Sequence, residues 1–182
     1  MPSALFSPIR LRDLELPNRL VVSPMCQYAS NDGAATDWHL MSLGQYSLGA
    51  AALVMTESTN ITPEGRISLK CAGMWNDAQE GALKRVIDFC HQYGVAKHGI
   101  QLGHAGRKGS THPPAAGGKP LTAAEGAYET IAPSALPYGP GWHTPRAMTK
   151  ADIERVRNAF VDATKRAERI GYDLVELHAG HG

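Results

Sequence analysis

Two histidines, His178 and His181, stand among glycines in the run His178-Ala179-Gly180-His181-Gly182. Glycine permits a tight backbone turn, so both imidazoles can face one pocket. A neutral imidazole donates one hydrogen bond per ring. Two such donors aimed at one carbonyl oxygen polarise it and stabilise enolate charge as it develops. The same pair could bind a metal, since histidine is the commonest metal ligand. No Asp or Glu lies beside them at a ligand spacing, so a third ligand would have to be His104 or Glu57. A metal-dependent hydrolase built on His104, His178 and His181 is therefore a rival chemistry.

Three further clusters follow short apolar runs. They are Ser23-Pro24-Met25-Cys26-Gln27-Tyr28, then Glu57-Ser58-Thr59, then Gln101 with His104-Ala105-Gly106-Arg107-Lys108. Each has an ordinary explanation as well. Cys26 could be a small buried hydrophobe, Tyr28 a core-edge aromatic, Gln101 a partner for a backbone group, and His178 a satisfied core histidine. Coincidence at all four places is harder to accept than at one.

The elements that must position these clusters alternate. Arg19 to Ser23 is a compact apolar run stopped by Pro24, which predicts a buried strand. Trp38 to Ala50 mixes apolar residues at helical spacing, and Ala52 to Glu57 predicts a second strand. Asp77 to Tyr93 predicts a helix with Asp77 as its cap, Gly94 as its stop, and a stripe of Leu83, Val86, Ile87 and Cys90. Val95 to Leu102 predicts a third strand. Thr149 to Ile170 predicts the longest helix, opened by a capping box of Thr149 and Asp152 and carrying Val156, Phe160, Ala163 and Ala167 on its inner face. Tyr172 to His178 predicts a fourth strand. The segment PIRLRDLELPN predicts a small hairpin at the bottom of the assembly.

Repeated βα units call for parallel strands and right-handed crossovers. An open doubly wound sheet and part of a (β/α)8 barrel both fit. No GxGxxG follows the first strand and no GxxxxGK[ST] occurs, which counts against the open dinucleotide sheet. Reactive residues directly after strands are the barrel arrangement. Gly103 to Ala147 breaks the rhythm with runs such as HPPAAGGKP and PYGPGW. Leaving the third strand, it is either a lid over the site or a mobile surface excursion.

The 182 residues suffice for one compact domain, and 43% hydrophobic against 19% charged residues is a globular balance. Lys plus Arg (18) nearly equals Asp plus Glu (17), so no global field draws nucleic acid or an anionic membrane. Cys26, Cys71 and Cys90 form neither a disulfide framework nor a CxxC zinc pair, which points to the reducing cytoplasm. The N-terminus lacks the apolar core of a signal peptide. No apolar run approaches the roughly 20 residues of a membrane helix.

At these clusters the sequence resembles the old yellow enzyme family. The motifs are SPMCQY (23–28), TPEGRI (62–67), GIQLGHAGRK (99–108), APSA (132–135) and ELHAGHG (176–182), in order. The cysteine in SPMCQY is similar to the thermophilic-like branch, which includes the xenobiotic reductases. The resemblance implies a (β/α)8 barrel truncated to about its first four strands and three helices, with FMN as cofactor and NADPH or NADH as reductant. It implies hydride transfer to the β-carbon of an electrophilic alkene. Ser23, Pro24, Met25 and Cys26 would line the flavin, with Cys26 tuning its potential. Ser58 would contact the flavin, and Gln101 would bond its pyrimidine edge. Tyr28 would touch substrate, and His178 and His181 would hold the acceptor oxygen. Full-length relatives would be homo-oligomers.

The chain ends at Gly182, where the family pattern continues with a proton-donating Tyr. Strands five to eight, the phosphate site after strands seven and eight and a flavin-contacting Arg would also lie beyond it. The expectation is an N-terminal half that binds FMN weakly or not at all and pairs through its open edges. A non-catalytic, self-associating half-barrel is thus the second functional hypothesis.

Overall fold

The computed structural model describes residues 3–180. A hairpin of β1 (Ile9–Leu11) and β2 (Leu14–Leu16) comes first, with Ile9 opposite Leu16. Three βα units follow. β3 (Val21–Val22) leads to α1 (Asp37–Ser47), and β4 (Leu53–Asn60) leads to α2 (Asp77–Tyr93). β5 (Lys97–Gly103) leads through a long excursion, carrying the short parallel pair β6 (Ile131–Ala132) and β7 (Arg146–Ala147), to α3 (Lys150–Arg169). β8 (Leu174–Leu177) ends the series. The sheet order is β3-β4-β5-β8 with every pairing parallel.

β4 and β5 are central, so both faces are covered and almost every residue is buried, the polar ones included. The outer strands are shorter than their apolar runs suggest. β3 keeps only Val21 and Val22. Ahead of it the Asn18 side chain caps Leu20 N at 2.9 Å and bonds Ala50 O at 2.8 Å, and Pro24 brings no N–H to extend the ladder. β4 runs past Glu57 to Asn60. Its register shifts between Thr56 and Ser58, which pair with Ile100 and Gln101. Glu57 is the extra residue of a β-bulge, and Ser58 takes the place opposite Gln101.

α2 buries its stripe as expected. Leu83 and Ile87 meet Ile61, Met74, Ile100 and Leu102, while Val86 and Cys90 meet Leu43 and Val54. Its cap is a correction. Asn76, not Asp77, accepts from Ala78 N and Gln79 N, and Gln79 Oε1 bonds back to Asn76 N. Asp77, one residue inside the helix, pairs instead with Arg166 at 2.6 Å. On α3, Ala163 and Ala167 are buried against the same core, with Val156 and Phe160 packed at its edge. The hairpin packs Ile9, Leu14 and Leu16 on Leu53 and Leu174, at the amino ends of β4 and β8.

Thr149 caps α3 through Asp152 N at 3.2 Å, and the Asp152 carboxylate returns to Thr149 N at 2.8 Å. Arg146 forks onto both Asp152 oxygens at 2.8 and 2.9 Å. That fork holds the Asp152 carboxyl far below the usual carboxylate range. Thr149→Ala is expected to cost about 1 kcal/mol in urea unfolding. An unchanged midpoint would show that the Arg146 fork alone orders the start of the helix.

Candidate active site

The carboxyl ends of the strands surround one cavity of about 260 Å³. Pro24 and Cys26 reach it from the segment after β3, Ser58 and Asn60 from β4, Gln101 from β5, and His178 from the residue after β8. These five expected site residues, Pro24, Cys26, Ser58, Gln101 and His178, are brought together from four separate strands. Ser23 and Met25 instead line a small cavity of about 20 Å³ behind the segment. Tyr28 lies outside the lining of the larger cavity, although its hydroxyl interacts with the Cys26 thiol. His181 lies outside the described residues. Asn60 and Ile67 join the lining without having been singled out as site residues, beside His104, Ala105 and Lys108 of the third cluster.

Pairing across the sheet creates the floor. The bulge at Glu57 sets Ser58 opposite Gln101, which is buried and donates from Nε2 to Glu176 Oε1 at 2.6 Å. A primary amide has two N–H groups and a carbonyl, so one N–H and Oε1 remain for a ligand. Gly103 closes β5 between Ser58 and His178. A Cβ there would lie 2.9 Å from Ser58 Oγ, so any side chain would intrude on the floor. His178 continues the ladder through its own N–H to Leu102 O at 2.8 Å. His104 lines the cavity, and its buried Nε2 has no hydrogen-bond partner among the described residues. Burial holds this imidazole below its ordinary pKa, with Glu64 opposing and Arg155 reinforcing the shift.

Cys26 is a thiol in this setting. Burial pushes its pKa up to about 12, and the charges of Glu57 and Cys71 add to that. Tyr28 is likewise raised to about 12, first by burial and then by Cys26. Its backbone lies in the left-handed region, at φ 52°, which is costly for a bulky side chain. Glu57 Oε2 accepts from Gln27 N at 3.0 Å, immediately before that residue. Glu57 Oε1 accepts from His39 Nε2 at 3.0 Å. Nothing around the helical run at Trp38 singled out His39, because it is one polar residue within an amphipathic pattern.

The excursion after β5 is tied down along its length. Short 3₁₀ turns occur at Gly106–Lys108, Pro114–Ala116 and Ala123–Glu125. Thr111 N bonds Ile67 O at 3.0 Å and the Tyr128 hydroxyl donates to Arg66 O at 2.5 Å. From the cavity wall, Lys108 Nζ sits 5.4 Å from the centre of the Tyr138 ring, and Tyr138 meets Trp142 edge-on at 4.7 Å.

A larger cavity of about 420 Å³ lies beside α3, lined by Met74, Trp75, Lys165, Arg166 and Arg169. Arg166 pairs with Asp77 and Glu80, and Arg169 with Glu80, so most of its positive charge is already matched. Among the described residues no group of three His, Cys, Asp or Glu is placed to hold a metal. Glu57 turns away into its pairing with His39, a consequence of the bulge.

Consecutive βα units around a parallel sheet, with polar residues converging after the strands, define a (β/α) barrel enzyme scaffold, present here through its first four strands. The chain belongs to the NADH:flavin oxidoreductase / NADH oxidase family, whose model matches residues 4–182. It is 44% identical over 181 residues to an NADH:flavin oxidoreductase of Gibberella zeae, covering 97% of this chain and 44% of that protein. It is 40% identical over 184 residues to an NADPH dehydrogenase of Geobacillus thermodenitrificans, covering 100% of this chain and 49% of the relative. Among solved structures, morphinone reductase superposes with TM-score 0.82 at 29% identity, over 97% of this chain and 48% of that one. Old yellow enzyme from Pichia sp. superposes with TM-score 0.83 at 27% identity, over 100% and 47%. The chain thus spans about half the length of the relatives it matches.

Membership in this family implies a flavin, FMN, as cofactor. The cavity fits the ring system of a flavin. Pro24, Cys26 and Ile67 supply an apolar wall, Gly103 leaves the floor clear, and Gln101 and His104 retain unspent polar atoms. Lys108 is the one Lys or Arg among the described lining residues, and it is engaged with Tyr138.

Proposed function

We propose that the site reduces activated C=C bonds, such as those of enones, as the amino-terminal part of an FMN-dependent NAD(P)H oxidoreductase. The observation that carries this is the convergence of Cys26, Ser58, Gln101 and His178 on one cavity from four strands. Bound FMN would take a hydride from NAD(P)H and deliver it to the β-carbon of the acceptor. Gln101 orients the pyrimidine edge with its remaining N–H and carbonyl. Cys26, kept as a thiol, packs beside the ring and offers a neutral donor rather than a charge. His178, with His181, donates to the acceptor oxygen, where negative charge develops. Tyr28 contributes to substrate contact from beside Cys26. The Gly103 to Ala147 excursion acts as a lid whose aromatic tip, Tyr138 and Trp142, rests on Lys108. No described helix is long and apolar enough to cross a membrane, and the three free cysteines suit the cytoplasm.

Titrating FMN into the chain and following flavin fluorescence tests this. Saturable binding is expected, weak for the chain alone, and Gln101→Leu is expected to weaken it about tenfold, the worth of one net hydrogen bond. A second reading, association through open sheet edges, draws support from β3 and β8, which carry exposed Val21 and Leu177. Self-associated chains with no saturable flavin binding would favour it over the first.

A further inference from the structure

The site described above leaves one buried acid–imidazole pair without a task. Glu57 and His39 are 3% and 1% exposed, and no Lys or Arg is paired with Glu57 among the described residues. Thr36 N donates to His39 Nδ1 at 2.9 Å, so the ring proton sits on Nε2. That proton is directed at Glu57 Oε1, with Ser30 Oγ a more distant neighbour at 3.4 Å. The second carboxylate oxygen receives Gln27 N. A continuous run of hydrogen bonds therefore joins the start of α1 to the peptide between Cys26 and Tyr28.

We propose that Glu57, oriented by His39, is a positioning residue of the reaction centre. It anchors the backbone at Gln27 and Tyr28 and so sets the surroundings of the neighbouring Cys26 side chain. Three independent features support the assignment. The bulge at Glu57 is a local departure from strand pairing that re-aims one side chain, a recurrent device beside active sites. The turn it anchors contains the left-handed Tyr28, a conformation that persists only when its surroundings impose it. The Glu57 charge is the largest cause after burial in raising the Cys26 thiol, ahead of Cys71. Glu57, Cys71 and Tyr28 act on the Cys26 thiol, and His104, Lys108 and His178 line the same cavity.

The inference deepens the proposed function, since Cys26 and Tyr28 matter there as groups beside the flavin and substrate. Its test nevertheless needs no flavin. The full chain is alkylated with iodoacetamide across pH 7–10.5, and modification of the Cys26 peptide is followed by mass spectrometry. Cys71 and Cys90, both fully buried, report any unfolding. In the parent chain Cys26 should react slowly even at pH 9. Glu57→Gln preserves size and removes the charge. It should raise the Cys26 rate at pH 9 about tenfold, one pKa unit of thiolate, while Cys71 stays unreactive. Glu57→Asp keeps the charge and shortens the reach. It should leave the Cys26 rate low but speed amide exchange at Gln27. Equal Cys26 profiles for the parent and Glu57→Gln overturn the proposal. So does a parent Cys26 that titrates near the ordinary value of about 8.5, an outcome readable even if Glu57→Gln fails to fold. Failure of FMN to bind leaves these profiles untouched, so the two proposals fail separately.

Discussion

A Gly73→Ala chain is expected to unfold in urea with about 3 kcal/mol less stability than the parent. The reason is the ring of Trp75. A Cβ on Gly73 would lie 2.0 Å from Trp75 Cζ3 and 2.6 Å from Cη2, far inside contact distance. Gly33 presses on the same ring, where a Cβ would fall 2.4 Å from Cη2. The indole has little room to retreat. The Arg66 guanidinium stacks 5.2 Å from its centroid, held by Pro63 O at 2.9 Å and Asp32 at 3.2 Å, with Tyr128 5.8 Å away. Gly73 is itself fixed, bridging to Asn60 at the end of β4 and donating to Gly33 O at 2.9 Å. The methyl must therefore displace a ring that several segments hold. This clasp also roots the excursion after β5 through the Tyr128 bond to Arg66 O, so with the lid role proposed above the variant should weaken flavin binding as well. Gly81→Ala makes the contrast, because a Cβ at that position in α2 meets nothing within 4 Å. It should gain about 1 kcal/mol from helix propensity alone. A loss below 1 kcal/mol for Gly73→Ala would mean that the clasp yields.

Acid should weaken the fold through His98. This residue is 0% exposed, and burial lowers its pKa to about 4, with the nearby His91 lowering it further and Asp173 opposing. Ser47 Oγ donates to Leu43 O at 2.6 Å, so the contact between Ser47 Oγ and His98 Nε2 at 3.0 Å places the ring proton on Nε2. His98 Nδ1 is buried without a partner among the described residues, so a second ring proton would have no acceptor. The sign follows from linkage. Above about pH 6.5 the imidazole is neutral in both the folded and the unfolded chain, and the fold is unaffected. Between about 6.5 and 4 the unfolded chain takes up a proton that the folded chain refuses. Stability therefore falls with pH across this window, by about 3 kcal/mol at its lower end. Urea midpoints measured at half-unit steps from pH 8 to 4 check this. His98→Gln will shift the whole curve, but its slope between pH 6.5 and 4.5 should flatten. An unchanged slope would place the acid sensitivity elsewhere.

The helices were legible because their signals are local. Leu83, Val86, Ile87 and Cys90 recur at the helical period, and all are buried at 0% or 1%. Thr149 and Asp152 sit three apart, and their reciprocal capping needs no other part of the chain. The cap of α2 was misassigned by one residue, since Asn76 and Asp77 are both capping types and only the backbone conformation at Asn76 separates them. Strand length was less legible for the outer strands. Whether an apolar residue joins a ladder depends on a partner strand, and β3 and β8 each have one neighbour among the described residues.

The site divides in the same way. His178, Gln101, Ser58 and Cys26 could be named from motifs and from their places after apolar runs, and they do meet in one cavity. By itself, then, the sequence determined the family, the order of βα units and the types of group at the strand ends. Tertiary structure alone decided which of those groups share a cavity and what each one feels. It decided that Glu57 occupies a bulge and turns to His39, and that His104 keeps a nitrogen at the cavity with no partner among the described residues. It also made His98 neutral and closed Arg66, Trp75 and two glycines into a clasp. The physical reason is that periodicity and caps are written within a few residues. Register, burial and electrostatic environment arise only when segments far apart in the chain pack together.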